Sequence, residues 1–139
     1  VSLRLSPHLL DAVRRHAEEA YPRECCGFLV GLSRGGEREI VSITPANNAE
    51  EGSPGNRYLV APEDYFEAEC DAARRDLAVT GFYHSHPDAE AVPSEDDRAG
   101  ALPGVSYLIL SVIRGRVAGI GSWTLDPVGR RFASERLRG

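Results

Sequence analysis

The chain has 139 residues, 42% hydrophobic and 27% charged, a balance that predicts one folded domain over 1–139 with a core large enough to need no disulfide staples. Sixteen basic residues, all arginine, face 21 acidic ones for a net charge of −5. That disfavours sequence-independent nucleic-acid binding and removes lysine chemistry. No apolar run approaches the ~20 residues of a membrane span, and Arg4, Asp11, Arg14 and Arg15 interrupt any leader-like stretch at the start.

Ser6-Pro7 supplies an N-cap and a first-turn proline, and Leu9, Leu10, Val13, Ala17 and Ala20 follow at three- and four-residue spacing. An amphipathic helix ending before Tyr21-Pro22 is expected. Residues 26–32 (CGFLVGL) read as a buried strand, and a polar turn over 33–38 joins them to a second strand at 39–44. Residues 45–56, rich in Asn, Glu, Gly and Pro, read as a loop, and 57–60 as a short strand. Pro62 opens a second helix, with Tyr65, Phe66, Cys70, Ala73 and Leu77 expected on its inward face. A strand over 79–85 and a short helix over 94–101 come next. Strands at 106–112 and 117–124 flank the turn at Arg114-Gly115, and 131–136 is expected at a sheet edge. The order α-β-β-β-α-β-α-β-β predicts an α/β sandwich: a mixed, mostly antiparallel sheet with helices packed against it.

Cys25, Cys26 and Cys70 are odd in number, two of them adjacent, with no CxxC spacing. They read as free, buried thiols in a reducing cytoplasm, not as a disulfide framework or a thiolate zinc site. His8 and His16 fall on the first helix and read as solvated or half-buried.

The chemistry concentrates in Tyr83-His84-Ser85-His86-Pro87. Residues i and i+2 of an extended chain share one face, about 6.5–7 Å apart at the backbone, so both imidazoles can converge on one ion. A catalytic zinc commonly takes three protein ligands and keeps one position open. The third ligand should be a nearby acid, and Asp88, Glu90, Glu95, Asp96 and Asp97 all qualify on proximity. Ser94-Glu95-Asp96-Asp97 also fits a capping box, in which Ser94 starts a helix and Asp97 reaches back.

Glu24, then His84-Ser85-His86, seven intervening residues, Ser94, two more and Asp97 give a pattern by which the chain is identified as a member of the JAMM (MPN+) metalloprotease family. The segments Tyr21–Gly27, Phe82–Pro87, Pro93-Ser94 and Pro103–Leu108 resemble its short bacterial members, so the likeness runs through most of the chain. The resemblance implies a cytidine-deaminase-like α/β sandwich. It implies Zn²⁺ held by His84, His86 and Asp97, with Glu24 as general base on a water and Ser94 as oxyanion donor. Asn48, Tyr58, Ser85 and Trp123 are carried as candidate substrate contacts, because the 45–58 segment resembles the one lying along the substrate tail. Ser85 is also a candidate for hydrogen-bond support of the site.

The implied reaction is hydrolysis after the C-terminal Gly-Gly of a ubiquitin-like sulfur-carrier protein or its conjugate, with no nucleic-acid or membrane partner; a homodimer is compatible with it. Rival readings are a general zinc peptidase acting on unstructured peptides and a non-catalytic MPN scaffold. A DNA-repair-associated relative usually carries Asn between the histidines, where this chain has Ser85. A cytidine deaminase would need a PCxxC pair that is absent.

Overall fold

A computed structural model describes residues 2–48, 60–128 and 130–139. In chain order it contains β1 (Ser2–Arg4), α1 (Pro7–Ala20), β2 (Cys26–Arg34), β3 (Glu37–Ala46), α2 (Pro62–Arg74), β4 (Ala78–Pro87), α3 (Glu95–Gly100), β5 (Ser106–Ile113), β6 (Arg116–Leu125) and β7 (Phe132–Arg138).

The helix starts follow the local chemistry. Ser6 Oγ accepts from the Leu9 N–H ahead of Pro7, and α1 buries Val13 and Ala17. The β2–β3 hairpin turns on Gly35 and Gly36, both at positive φ, and the β5–β6 hairpin on Arg114 and Gly115 at φ of 52° and 85°. These are backbone angles that suit the right-handed twist of the flanking strands.

Among the described residues the strand order is β1-β3-β2-β4-β5-β6-β7, and β1 pairs in parallel with both β3 and β7. The mixed α/β architecture is as expected, but the sheet closes into a ring where an open sandwich was expected. β7 is accordingly not an edge strand. The closure depends on β1, which was not among the expected elements. Its three residues span the gap because Leu3 is fully buried, with Leu5 buried just beyond. The seam is stitched by Glu37, which accepts from Ser2 Oγ at 3.1 Å and pairs with Arg4 at 3.4 Å and Arg138 at 3.1 Å. Pairing both edges removes the open strand edges that invite association.

Two apolar clusters lie on opposite faces of the sheet. Tyr83, Leu108 and Leu110 belong to the cluster with α1; Phe82 and Tyr107 belong to the one with α2, the alternation that a two-residue period requires. Tyr83 lies over Gly27, where any side chain would overlap its ring, and its hydroxyl is 2.7 Å from His16 Nδ1. The expected inward face of α2 is corrected: Phe66 is 72% exposed and Ala73 is exposed, while Ala68 and Ala72 are buried, with Tyr65 and Leu77 against the same cluster. Small alanines let the helix approach the sheet closely, and the sequence pattern had favoured bulk over position. The expected loop at 45–56 begins later, since Pro45 and Ala46 belong to β3. Of the expected 57–60 strand, Val60 lies among the described residues and bridges to Asn48.

Candidate metal centre

β4 carries both histidines. His84 is fully buried, paired in register with Cys26 of β2 on one side and Ile109 of β5 on the other. His86 lies two residues on, on the same face, where the strand emerges. After Pro87 the chain crosses to α3, a six-residue helix with no buried residue of its own. It is held from outside: Arg130 Nη2 donates to Arg98 O at 2.8 Å, and the Leu102 N–H donates to the Tyr107 hydroxyl at 2.7 Å. That tether brings Asp97 to the histidines.

His84 Nε2 and His86 Nε2 are 3.2 Å apart, His84 Nε2 is 3.2 Å from Asp97 Oδ1, and His86 Nε2 is 3.1 Å from Asp97 Oδ2. Tetrahedral zinc with bonds of ~2.0–2.1 Å separates its ligand atoms by about 3.3 Å. The trio matches that spacing, and His84, His86 and Asp97 form a group able to hold a metal ion. The tautomer agrees. His86 Nδ1 lies 2.8 Å from the Glu90 carbonyl, which can only accept, so Nδ1 carries the hydrogen and neutral His86 turns the Nε2 lone pair toward Asp97. A lone pair facing a carboxylate at 3.1 Å calls for a cation or a proton between them. The donor set fits a divalent metal.

Electrostatics favour the ligand forms of Asp97 and His84. Burial works against the Asp97 carboxylate, yet the His84 and His86 rings and the Ser94 N–H hold it ionised, far below the usual carboxylate range. Burial pushes the His84 pKa down and favours the neutral ligand form. In His86 burial also opposes the charged form, but hydrogen bonding to Asp97 and to the Glu90 carbonyl outweighs it and the pKa rises. Asp97 serves the helix cap as well: its Oδ2 accepts from the Ser94 N–H at 2.8 Å, and its own N–H donates to Ser94 Oγ at 3.1 Å. The capping box and the ligand geometry are therefore one arrangement, not rivals. Ser94 is exposed, and its Oγ, having accepted, still has a proton to donate.

Glu24 arrives from just ahead of the neighbouring strand β2, on the same face as the histidines. β2 pairs antiparallel with β4 as Cys26↔His84, and continuing that register sets position 25 against 85 and position 24 against 86. The Ser85 N–H donates to Cys25 O at 3.2 Å and the Cys25 N–H to Ser85 Oγ at 2.9 Å, so the register does continue. Glu24 is nearly buried, and burial lifts its carboxyl to about 8; His86 pulls it down, while Asp97 and Asp96 push it up further. A cation among His84, His86 and Asp97 would add the positive charge that favours the carboxylate. Asn48 Nδ2 donates to Glu24 O at 3.3 Å and braces that backbone.

The remaining candidates fall as follows. Ser85 faces Cys25 on the α1 side of the sheet, away from the histidine rings. Trp123, on β6, is half-buried against the α2-side cluster and spends its indole N–H on Ala91 O at 3.1 Å. Tyr58 lies outside the described residues. The Glu90 carbonyl that orients His86 has no side-chain signature, so no sequence pattern could have found it. Asp88, one of the acids considered as a ligand, instead accepts from the Tyr21 hydroxyl at 2.7 Å and from the Arg114 N–H at 3.0 Å.

A family model described as prokaryotic homologs of the JAB domain matches residues 6–126, which include Glu24, His84, His86, Ser94 and Asp97. The chain belongs to this family. A desampylase of Haloferax volcanii is 37% identical over 115 residues, 78% of this chain and 80% of that protein. A probable TtuB-protein conjugate cleaving protease of Thermus thermophilus is 33% identical over 101 residues, 73% of this chain and 64% of that protein. A tail tip assembly protein K of Escherichia phage N15 is 38% identical over 90 residues, 65% of this chain; the match spans about a third (32%) of that longer protein. The fold is shared with a Desulfitobacterium hafniense protein of known solution structure, with a TM-score of 0.83, 27% identity, and coverage of 97% of this chain and 90% of that one. The JAMM-type resemblance is thereby met at the level of the whole domain.

Proposed function

We propose that this JAB domain is a zinc-dependent peptidase of the cytoplasm that hydrolyses the bond after the C-terminal Gly-Gly of a ubiquitin-like sulfur-carrier protein or its conjugate. The observation that carries the reading is the trio of ligand atoms 3.1–3.2 Å apart with the buried Glu24 in register across from His86. The names of the Haloferax and Thermus relatives support the reaction class, the second by naming conjugate cleavage. Free Cys25, Cys26 and Cys70 suit a reducing compartment.

His84, His86 and Asp97 would hold the zinc, which when bound supplies Lewis acidity and brings the pKa of a water to ~7. Glu24 takes the proton of the attacking water as the new C–O bond forms. It then delivers that proton to the leaving amine as the C–N bond breaks, a relay worth about 10²–10⁴-fold. The Ser94 O–H donates to the oxyanion of the scissile carbonyl, a contribution of about 3–4 kcal/mol. Asn48, next to the Glu24 backbone, and Tyr58 are assigned to the extended Gly-Gly tail, whose bare backbone suits recognition by hydrogen bonds alone.

The test is to incubate zinc-loaded wild type and Glu24→Ala with a sulfur-carrier fusion extended past Gly-Gly and to identify the products by mass spectrometry. A single cut after Gly-Gly by wild type and none by the variant is expected. Ready cleavage of generic peptides with the fusion left intact would instead establish a general peptidase.

A further inference from the structure

Between Pro87 and Ser94 the chain has no strand or helix, yet its backbone is held at consecutive points. The Ala89 carbonyl accepts from Ser111 Oγ of β5 at 2.5 Å, the Glu90 carbonyl from His86 Nδ1 of β4 at 2.8 Å, and the Ala91 carbonyl from Trp123 Nε1 of β6 at 3.1 Å. Three adjacent carbonyls are thus bound by side chains from three adjacent strands. Just ahead of them, Asp88 sits at φ 54°, its N–H donating to Val112 O at 2.6 Å.

A neighbouring vacancy makes the third bond possible. A Cβ on Gly121 would lie 2.9 Å from Trp123 Nε1 and 3.0 Å from Ala91 O, so any side chain there would crowd the indole N–H and its acceptor together. That glycine keeps the approach to Ala91 open.

We propose that Ser111 and Trp123 are positioning residues for His86, acting through the 89–91 backbone, with Gly121 supplying the space the indole needs. Fixing the carbonyls on either side of Glu90 fixes the direction of the Glu90 carbonyl. That carbonyl sets the tautomer and ring plane of His86, and so the aim of the Nε2 lone pair. This assigns Trp123 to the support of the metal ligand and not to the substrate. It rests on the reading of His84, His86 and Asp97 as ligands.

The experiment compares wild type with Ser111→Ala, Trp123→Phe, the double variant and Gly121→Ala. Zinc affinity is read by competition with a chromophoric chelator, ligand geometry by the visible bands of the cobalt-substituted protein, and fold by urea unfolding of the metal-free form. Trp123→Phe keeps the ring in its cluster and deletes the donor, and is expected to weaken zinc binding about tenfold, with the double variant weaker still. Gly121→Ala, which keeps the tryptophan but puts a Cβ 2.9 Å from its Nε1, is expected to weaken binding in the same direction. The cobalt bands should shift in each. Unchanged affinity and unchanged cobalt bands in all four, with at most a lowered unfolding midpoint, would show a purely structural role and overturn the proposal. If Trp123→Phe fails to fold, Ser111→Ala gives the same reading. Wild type that binds no zinc would remove the ligand reading itself; tight binding in wild type with equal binding in the variants would remove this inference alone.

Discussion

Replacing Ser85 by alanine tests how Glu24 is brought to the histidines. Ser85 is fully buried and Cys25 nearly so, and the Ser85 hydroxyl accepts the Cys25 N–H at 2.9 Å. Deleting it strands a backbone donor in a place water does not reach, at about 1–3 kcal/mol. The volume lost is one oxygen, so a cavity adds little. With a typical urea dependence of ~1–3 kcal/mol per molar, the unfolding midpoint of the metal-free protein should fall by about 1 M. Because Cys25 directly follows Glu24, the carboxylate loses part of its anchorage as well, and kcat should fall while zinc content stays that of wild type. Unfolding is followed by circular dichroism and turnover by mass spectrometry of the cleaved fusion. A midpoint and a kcat both equal to wild type would refute the reasoning, because the register contact would then carry neither stability nor position.

Other substitutions separate the remaining roles. Glu24→Gln is expected to retain the metal and lose about 10²–10⁴-fold in kcat, measured on the carrier fusion with zinc content determined in parallel. Ser94→Ala removes both the helix cap and the proposed oxyanion donor; kcat should drop by about 10²–10³-fold, against about 1 kcal/mol of stability from the cap. A larger loss of stability than of rate would reverse that assignment. Away from the site, Arg38 Nη1 lies 3.7 Å from Glu135 Oε1, with the side chains 15% and 1% exposed, and Ser122 Oγ donates to Glu135 Oε2 at 2.6 Å. Glu135→Ala alone should cost about 1–3 kcal/mol, because Arg38 loses its counter-charge and among the described residues keeps only its bond to Ser106 Oγ at 3.1 Å, while joint replacement of Arg38 and Glu135 by apolar residues should cost less, as read from denaturant unfolding.

What the sequence could and could not reveal follows from the range of each interaction. His84 and His86 were legible because a two-residue period puts them on one face without help from the rest of the chain. Asp97 was not separable from Asp88, Glu90, Glu95 and Asp96 by spacing, since the choice is made by Arg130 and Tyr107 holding α3 from elsewhere in the fold. Glu24 could be tied to the site only through the family pattern; its physical cause, the β2–β4 register, requires the pairing to be known. β1 was missed because three residues carry no periodicity, although Leu3 and Leu5 flanking Arg4 were a faint alternation. Without β1 the ring cannot be foreseen, and 131–136 reads as an edge strand. Phe66 misleads because hydrophobicity marks it as inward, whereas the close helix–sheet approach is made by the small Ala68 and Ala72.

The central claim is that His84, His86 and Asp97 hold one metal ion. Its most direct test is zinc per chain, by elemental analysis after zinc loading and extensive dialysis, in wild type and in His84→Ala, His86→Ala and Asp97→Ala. Wild type should keep close to one zinc and each variant almost none. A wild-type chain that stays empty, or His84→Ala and His86→Ala chains that keep a full complement, would contradict the account.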